Sequence, residues 1–226
     1  MKNKRFSPPV WSNLSYSLST LRKNLLVFVE KISREHQVKK VLDLGCGSSP
    51  YKPILESFGF QYYGADIART ENVDYIVRTD NTVEDVTDAS FDMILSSQVL
   101  EHVASPADYL QECNRLLPKN GVLLLSTHGH WIFHPDPNDY WRWTNEGLKK
   151  TVEAAGFKVV AFSGIMGVVP TCLQIIQDSI ALNMPRFIRE IIIVFFQFTI
   201  FLSDKLTSQS SRDKDAGIFI LTAIKQ

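Results

Sequence analysis

The chain has 226 residues, 45% of them hydrophobic and 21% charged, which is enough to bury one substantial core and ordinary for a single globular domain. Lys plus Arg and Asp plus Glu balance at 24 each, so no overall field draws the protein to nucleic acid; basic side chains gather only locally, at Lys2, Lys4, Arg5, Lys39 and Lys40. The cysteines Cys46, Cys113 and Cys172 are odd in number, and the start Met1-Lys2-Asn3-Lys4-Arg5 lacks the apolar core of a signal peptide, which excludes a disulfide framework and predicts a reducing cytoplasm.

A helix over 14–34 opens the chain. Short aliphatic or β-branched runs then alternate with helical stretches, the pattern of a parallel sheet with covering helices, and the strand candidates are 40–44, 61–65, 75–78, 91–95, 121–126, 158–163 and 218–225. Pro50 stands where a helix can begin without its N–H, and Pro106 opens another running to about Leu117. Thr144 is a natural N-cap for a helix over 145–155, with Gly156 stopping it. From Gly164 to Gly217 the rhythm breaks: an oily stretch is followed by polar Ser208-Gln209-Ser210-Ser211-Arg212-Asp213-Lys214-Asp215, which reads as a helical insertion and then a mobile loop.

The run Val41-Leu42-Asp43-Leu44-Gly45-Cys46-Gly47 ends a strand on two glycines, where missing side chains let backbone N–H groups approach a ligand. Asp66 follows nineteen residues after Gly47 at the end of the next strand, in position to accept from both hydroxyls of a ribose. A dinucleotide enzyme uses the same logic. Here, however, Pro50 stands in place of the third glycine of G-x-G-x-x-G, and acidic Asp43, unwelcome to a pyrophosphate, lies two residues before the first. A sulfonium cofactor bearing an amino group suits that carboxylate, acting through water or by holding nearby backbone donors. Read singly, each glycine is a simple turn and Asp66 a solvated strand end.

Taken in order, Asp43-Leu44-Gly45-Cys46-Gly47, Gly64-Ala65-Asp66, Asp80, Ser90-Phe91-Asp92 and Leu100-Glu101-His102-Val103 resemble the class I S-adenosylmethionine-dependent methyltransferases of the D-L-G-C-G and L-E-H-V branch. The resemblance runs from about 38 to 157 and takes in Arg115-Leu116-Leu117-Pro118-Lys119-Asn120-Gly121 and Ala154-Ala155-Gly156-Phe157. It implies an α/β, Rossmann-like, seven-stranded and mostly parallel sheet with helices on both faces and a helical insertion before the last strand. The single domain then divides into an N-terminal helical segment (1–37), a cofactor-binding core (38–163), the insertion and loop (164–216) and the closing strand (217–226). By the same resemblance S-adenosylmethionine is the cofactor. Gly45, Cys46 and Gly47 line its methionine and ribose portions, Asp66 takes the ribose hydroxyls, Ile67 packs on adenine, Asp80 and Asn81 face the adenine amino group, and Ser97 and Gln98 approach the methionine. Cys46 is expected as a small side chain and not as a nucleophile.

Methyl transfer from a sulfonium is an in-line displacement that alignment and desolvation promote, and a base is needed only where the acceptor must shed a proton. His102 is the candidate, with a histidine satisfied at the helix–sheet junction as the alternative. The following segment from His128 to Trp143, rich in His and aromatics, is expected to close over the acceptor, with His130, Tyr140 or Arg142 orienting it. Asp139-Tyr140-Trp141-Arg142-Trp143-Thr144 resembles the D-x-x-R-aromatic-T of the family; the plainer reading pairs Arg142 with Asp139 and packs the tryptophans onto the domain. Relatives reading E-x-x-E-H hold a divalent ion. Here Gln98 replaces the first glutamate, so a metal-free site is expected, with Glu101, His102 and a lid histidine as the only ligands left.

The oily run from Ile191 to Leu202 is about 18 Å long as a helix against a ~30 Å bilayer core, so it is not expected to span. Burial at the sheet edge, a homodimer through 187–203, or a peripheral membrane contact beside Arg186 and Arg189 are its three destinations. The sequence thus predicts a methyltransferase acting on a small-molecule, glycan or lipid-linked acceptor, cytoplasmic or membrane-associated. A catalytically silent adaptor with the same fold is the alternative, and a nicotinamide dehydrogenase is disfavoured by Asp43 and Pro50.

Overall fold

The computed structural model describes residues 3–181 and 184–226. Seven strands form one sheet: β1 (Lys40–Leu44), β2 (Gln61–Asp66), β3 (Tyr75–Ile76), β4 (Met93–Ser97), β5 (Val122–His128), β6 (Phe157–Gly167) and β7 (Ala216–Lys225), in the order β3-β2-β1-β4-β5-β7-β6. All neighbours are parallel except that β7 runs antiparallel to both β5 and β6. The expected Rossmann-like architecture is present. Successive residues of the central strands point to opposite faces, and both faces are covered. Leu42, Ile94, Leu123 and Leu125 join one core with α3 (Pro106–Leu116) and α4 (Asn145–Ala154). Val41, Met93, Leu95 and Leu124 join the other with α1 (Ser15–Glu35) and α2 (Lys52–Ser57).

The helix boundaries follow local chemistry. The Ser105 hydroxyl caps α3 by accepting from Asp108 N, Thr144 caps α4 by accepting from Gly147 N, and Gly156, at φ +86°, turns the chain out of α4. Several boundaries differ from the sequence reading, among them β5, which runs on to His128, and β7, which begins at Ala216. The first turn of α2 carries Pro53, two residues into the helix, and not Pro50. β3 shrinks to two residues because Asn81, at φ +70°, closes a tight turn that bridges Val77 to Val83. β4 starts at Met93, since the N–H of Phe91 is taken by Leu116 O. β6 extends to Gly167 because β7 offers it a partner along its whole length.

The largest correction concerns 208–215, expected as a mobile loop. It forms α7 (Gln209–Lys214), capped by Ser208 and docked on the sheet edge: Gly164 N donates to Asp213 Oδ1 (2.9 Å) and Asn145 Nδ2 to Asp213 O (2.8 Å). Polar composition misled the reading because α7 docks through hydrogen bonds and not through an apolar stripe. Between β6 and α7 lie α5 (Val168–Ala181) and α6 (Arg186–Lys205), two helices that pack on each other and on α1. No described helix is long and apolar enough to cross a membrane.

β6 ends on the same edge of the sheet as β1, β4 and β5, because Ile165 of β6 and His128 of β5 both pair with Ile218 of β7. Everything chemical gathers along that edge. The docking of α7 is tight enough that a Cβ on Gly164 would lie 1.9 Å from Arg212 O. The substitution Gly164→Ala is therefore expected to lose about 2–4 kcal/mol of unfolding free energy in urea titration, because backbone and not a mobile side chain stands in the way.

Candidate active site

The crevice for a ligand lies where β1 and β4 are neighbours while the chain leaves them in opposite directions, toward β2 and toward β5. At the end of β1, Gly45 has φ +84°, and a Cβ there would lie 2.4 Å from Val99 Cγ2, so glycine alone fits. Gly47, at φ +53°, faces open space, with nothing within 4 Å of where a Cβ would stand. Asp66 fixes this turn: its Oδ2 accepts from Gly47 N and its Oδ1 from Ile67 N, both at 2.7 Å. Each oxygen keeps a further lone pair for a hydroxyl donor. Ile67 is exposed beside it.

Asp43, Cys46 and Ser97 line a small recess at the bottom of the crevice, together with Tyr51 and, from the N-terminal segment, Arg5. Asp43 is buried and accepts from the Tyr62 hydroxyl (2.8 Å). Burial pushes its carboxyl up to about 7, against the opposing pull of the Tyr62 hydrogen bond and the Arg5 charge. A cationic ammonium brought beside it offsets that cost. Cys46 is buried as well, and desolvation pushes its thiol up to about 12, which fits a space-filling side chain and not a nucleophile. Arg5 stood out in the sequence only as one of the local basic residues, since nothing marks a residue so far upstream as a neighbour of β1.

Three predicted residues already have partners or a place within the protein. Asp80 Oδ1 accepts from both Thr82 N (3.0 Å) and the Thr82 hydroxyl (2.6 Å), which holds its carboxyl below the ordinary range, and Asn81 occupies the turn itself. Gln98, buried at φ +59°, donates through Nε2 to Ser126 Oγ (3.2 Å). Of the pair Ser97–Gln98, Ser97 lines the recess.

Beyond the end of β4, Glu101 is the centre of a second polar cluster. It is fully buried; Oε2 accepts from the Thr127 hydroxyl (2.8 Å), whereas Oε1 has no hydrogen-bond partner and lies 3.4 Å from His128 Nε2 and 3.9 Å from His102 Nε2. Desolvation favours the neutral forms, raising the Glu101 carboxyl and driving His128 well below the usual imidazole range. His102 Nδ1 donates to Asn138 O (2.5 Å), because a carbonyl can only accept, so the neutral ring keeps the lone pair on Nε2. Glu101, His102 and His134 each place one ligand-type atom within 4.8 Å of the others, the set that could hold a cation.

The segment 128–144 does fold over this end. Glu101 O accepts from Tyr140 N and Trp141 N, Trp141 Nε1 donates to Val103 O, and Trp131 stacks on His128 at 4.7 Å between ring centroids. Arg142 uses all five N–H groups inside the lid, on Trp131 O, Ile132 O, Trp141 O and both oxygens of buried Asp139. Against the burial that would raise it, this partner holds the Asp139 carboxyl well below its usual range. The pairing of Arg142 with Asp139 anticipated as the plainer reading is thus present. Exposed His130 pairs with Asp215 beyond α7, while Tyr140 stands exposed at the rim. His128 and His134, which the sequence displayed only as part of a histidine-rich stretch, stand closest to Glu101 and His102.

This arrangement of sheet, glycine turn and acidic strand end is that of the class I methyltransferase fold. The S-adenosylmethionine-dependent methyltransferase of Archaeoglobus fulgidus superposes with a TM-score of 0.57 at 15% identity, covering 94% of this chain and 97% of that one. The 4+2 cyclase SpnF superposes equally well, at 0.57 and 19% identity over 90% of this chain and 81% of its own, so the fold by itself does not fix the reaction. The model of a methyltransferase domain matches residues 11–161, and the chain belongs to this family of S-adenosylmethionine-dependent enzymes. A Mycolicibacterium smegmatis protein named a probable S-adenosylmethionine-dependent methyltransferase is 28% identical over 155 residues, 62% of this chain and 60% of its own. The ubiquinone biosynthesis O-methyltransferase of Glaesserella parasuis is 35% identical over 106 residues, 39% of this chain and 45% of that enzyme. The chain thus spans 60% and 45% of the length of these relatives.

The buried carboxylate of Asp43 has a measurable consequence. Its pKa is higher folded than unfolded, so its contribution to stability is complete below about pH 4 and is lost as pH rises through 7. In the absence of ligand, Asp43→Asn is expected to gain about 2 kcal/mol relative to wild type between pH 5 and pH 8 in parallel urea titrations. An unchanged difference at the two pH values contradicts the assignment.

Proposed function

We propose that this chain transfers the methyl group of S-adenosylmethionine to a small-molecule acceptor, a class that includes glycan and lipid-linked molecules. The observation that carries the reading is the placement of the glycine turn, held by Asp66, and the Glu101–His102 cluster on adjoining strand ends of one crevice. In this reading the open edge of Gly45–Gly47 and the Asp66 carboxylate receive the ribose and methionine portions, with Asp43 facing the ammonium. Ile67 supplies an apolar surface for adenine, and Asp80 with Asn81 the polar edge of the same ring's site. Ser97 and the backbone at Gln98 border the methionine.

Bound there, the sulfonium would supply the methyl group, and Nε2 of His102, under the lid, would accept the proton that an acceptor hydroxyl sheds as its oxygen takes the methyl carbon from sulfur. Glu101 and Asn138 position that imidazole, and the aromatic lid excludes water from the sulfonium. Exposed Tyr140 and the His130–Asp215 pair lie at the lid's rim, where an acceptor enters, while Arg142 shapes the lid from within. The likeness to ubiquinone biosynthesis O-methyltransferases supports an oxygen acceptor.

Calorimetry with S-adenosylmethionine tests the donor half. Wild type is expected to bind, and Asp66→Ala to bind at least about tenfold more weakly, a loss of about 1.4 kcal/mol; absence of heat in the wild type overturns the reading and leaves the silent adaptor in its place. For the acceptor half, label from methyl-tritiated cofactor is followed into small molecules of a cell extract. His102→Ala is expected to slow incorporation by about 10²–10⁴-fold with cofactor affinity unchanged.

A further inference from the structure

The two helices between β6 and α7 turn polar groups inward and large apolar ones outward. On α6 the side chains facing the domain are Ile193, Gln197, Ile200 and Asp204, half of them polar, while Phe187, Phe195 and Phe198 on the outer side are 76%, 63% and 59% exposed. With Ile191, Val194 and Leu202 these phenylalanines occupy an arc of roughly 100° along the helix. α5 repeats the inversion. Thr171, Gln174, Gln177 and Asp178 face inward, and Val169, Cys172, Ile176 and Ile180 face outward.

The inward polar groups are satisfied by one another. Gln197 Nε2 donates to Asn13 O (2.8 Å) and Gln177 Oε1 (2.8 Å), its Oε1 accepts from Tyr16 N (2.7 Å), and Asp204 accepts from the Tyr16 hydroxyl (2.6 Å) and from Arg212 (3.0 Å). The hairpin is therefore fixed to α1 by directional bonds, and its apolar surface has no partner within the described chain. The cations of α6 stand at its two ends, Lys205 beside the apolar stripe and Arg186 and Arg189 in the first turn on the azimuth of Asp204 and Ile200, where Glu190 pairs with Arg186. Arg186 and Arg189 line, with Trp11, a cleft of about 360 Å³ at the helix start.

We propose that the α5–α6 hairpin lies on the surface of an anionic lipid bilayer, with its phenylalanine face among the acyl chains and Arg186, Arg189 and Lys205 at the level of the headgroup phosphates. A second copy of the chain fits less well, since protein interfaces carry roughly one hydrogen bond per 100–200 Å², and the central stripe from Ile191 to Phe198 offers no outward hydrogen-bonding side chain. A lipid surface asks for none. Because β6 delivers α5 at the edge that carries the lid, docking brings the mouth of the crevice toward the bilayer. The inference stands independently of the methyl-transfer reading.

Flotation of the full chain with phosphatidylcholine vesicles, with and without 30% phosphatidylglycerol (about one anionic lipid in three), tests it, alongside light scattering without lipid. Wild type is expected to float with the anionic vesicles, and the double variant Phe195→Ser/Phe198→Ser to lose at least tenfold in partitioning while keeping cofactor binding. Cys172 is the exposed cysteine of the three, so an environment-sensitive fluorophore attached there reports bilayer contact without altering the phenylalanines. A blue shift on adding anionic vesicles is expected, and it decides the matter if the double variant fails to fold. Wild type that stays unbound with no spectral shift overturns the proposal, as does a wild-type dimer that the double variant dissociates while neither floats.

Discussion

A carboxylate buried among apolar strands is costly unless its oxygens are met, and Glu101, beyond the end of β4, meets that condition with only one of them. One oxygen takes the Thr127 hydroxyl from β5, and the other faces the imidazoles of His102 and His128 without a bond of its own. Its backbone carbonyl receives two N–H groups from the lid. Moving Glu101 would therefore disturb β5, both histidines and the lid together. Such a hub is costly to stability, and its cost is understandable where the polar groups are to meet a substrate.

The donor end follows a different logic. There the scaffold is backbone: two glycines with positive φ and a carboxylate that cross-links the turn after β1 to the end of β2. Because the donors are N–H groups of the main chain, the site's shape is decided once the sheet registers, and side chains contribute mainly charge and apolar surface. Asp43 and Arg5 bring opposite charges to the bottom of the same recess, a pairing suited to a zwitterionic amino-acid terminus.

The donor end was legible in the sequence because its signals are local and ordered. A glycine turn follows one strand, an acid closes the next, and the intervals match the length of a helical crossover. A parallel sheet with covering helices followed from the alternation of runs such as 40–44, 61–65 and 121–126, whereas the order of the strands was not read from them. The acceptor end was only half legible. His102 could be named, but the proximity of His128 and His134 to it depends on how the lid folds back, which no periodicity encodes. The place of Arg5 was invisible for the same reason at greater distance. The segment 208–215 was misread since its docking rests on Asp213, Asn145 and backbone, and polar residues in series look alike whether they are solvated or paired. The oily stretch near 191–202 was plain in sequence, but its direction of facing was not. The burial of Ile193, Gln197, Ile200 and Asp204 settles which side of α6 is inward.

The position of β7 carries a consequence for the order in which the molecule can be made. It is the last element in the chain, yet it lies inside the sheet between β5 and β6. On the ribosome, the glycine turn, the first four strands and β5 can assemble as they emerge, each beside a neighbour already present. β6 has no strand to join until residues 216–225 arrive, whereas the helical hairpin finds its partners on Asn13 and Tyr16, which are made first. Closure of the sheet therefore waits on β7, while the seat of the apolar hairpin does not.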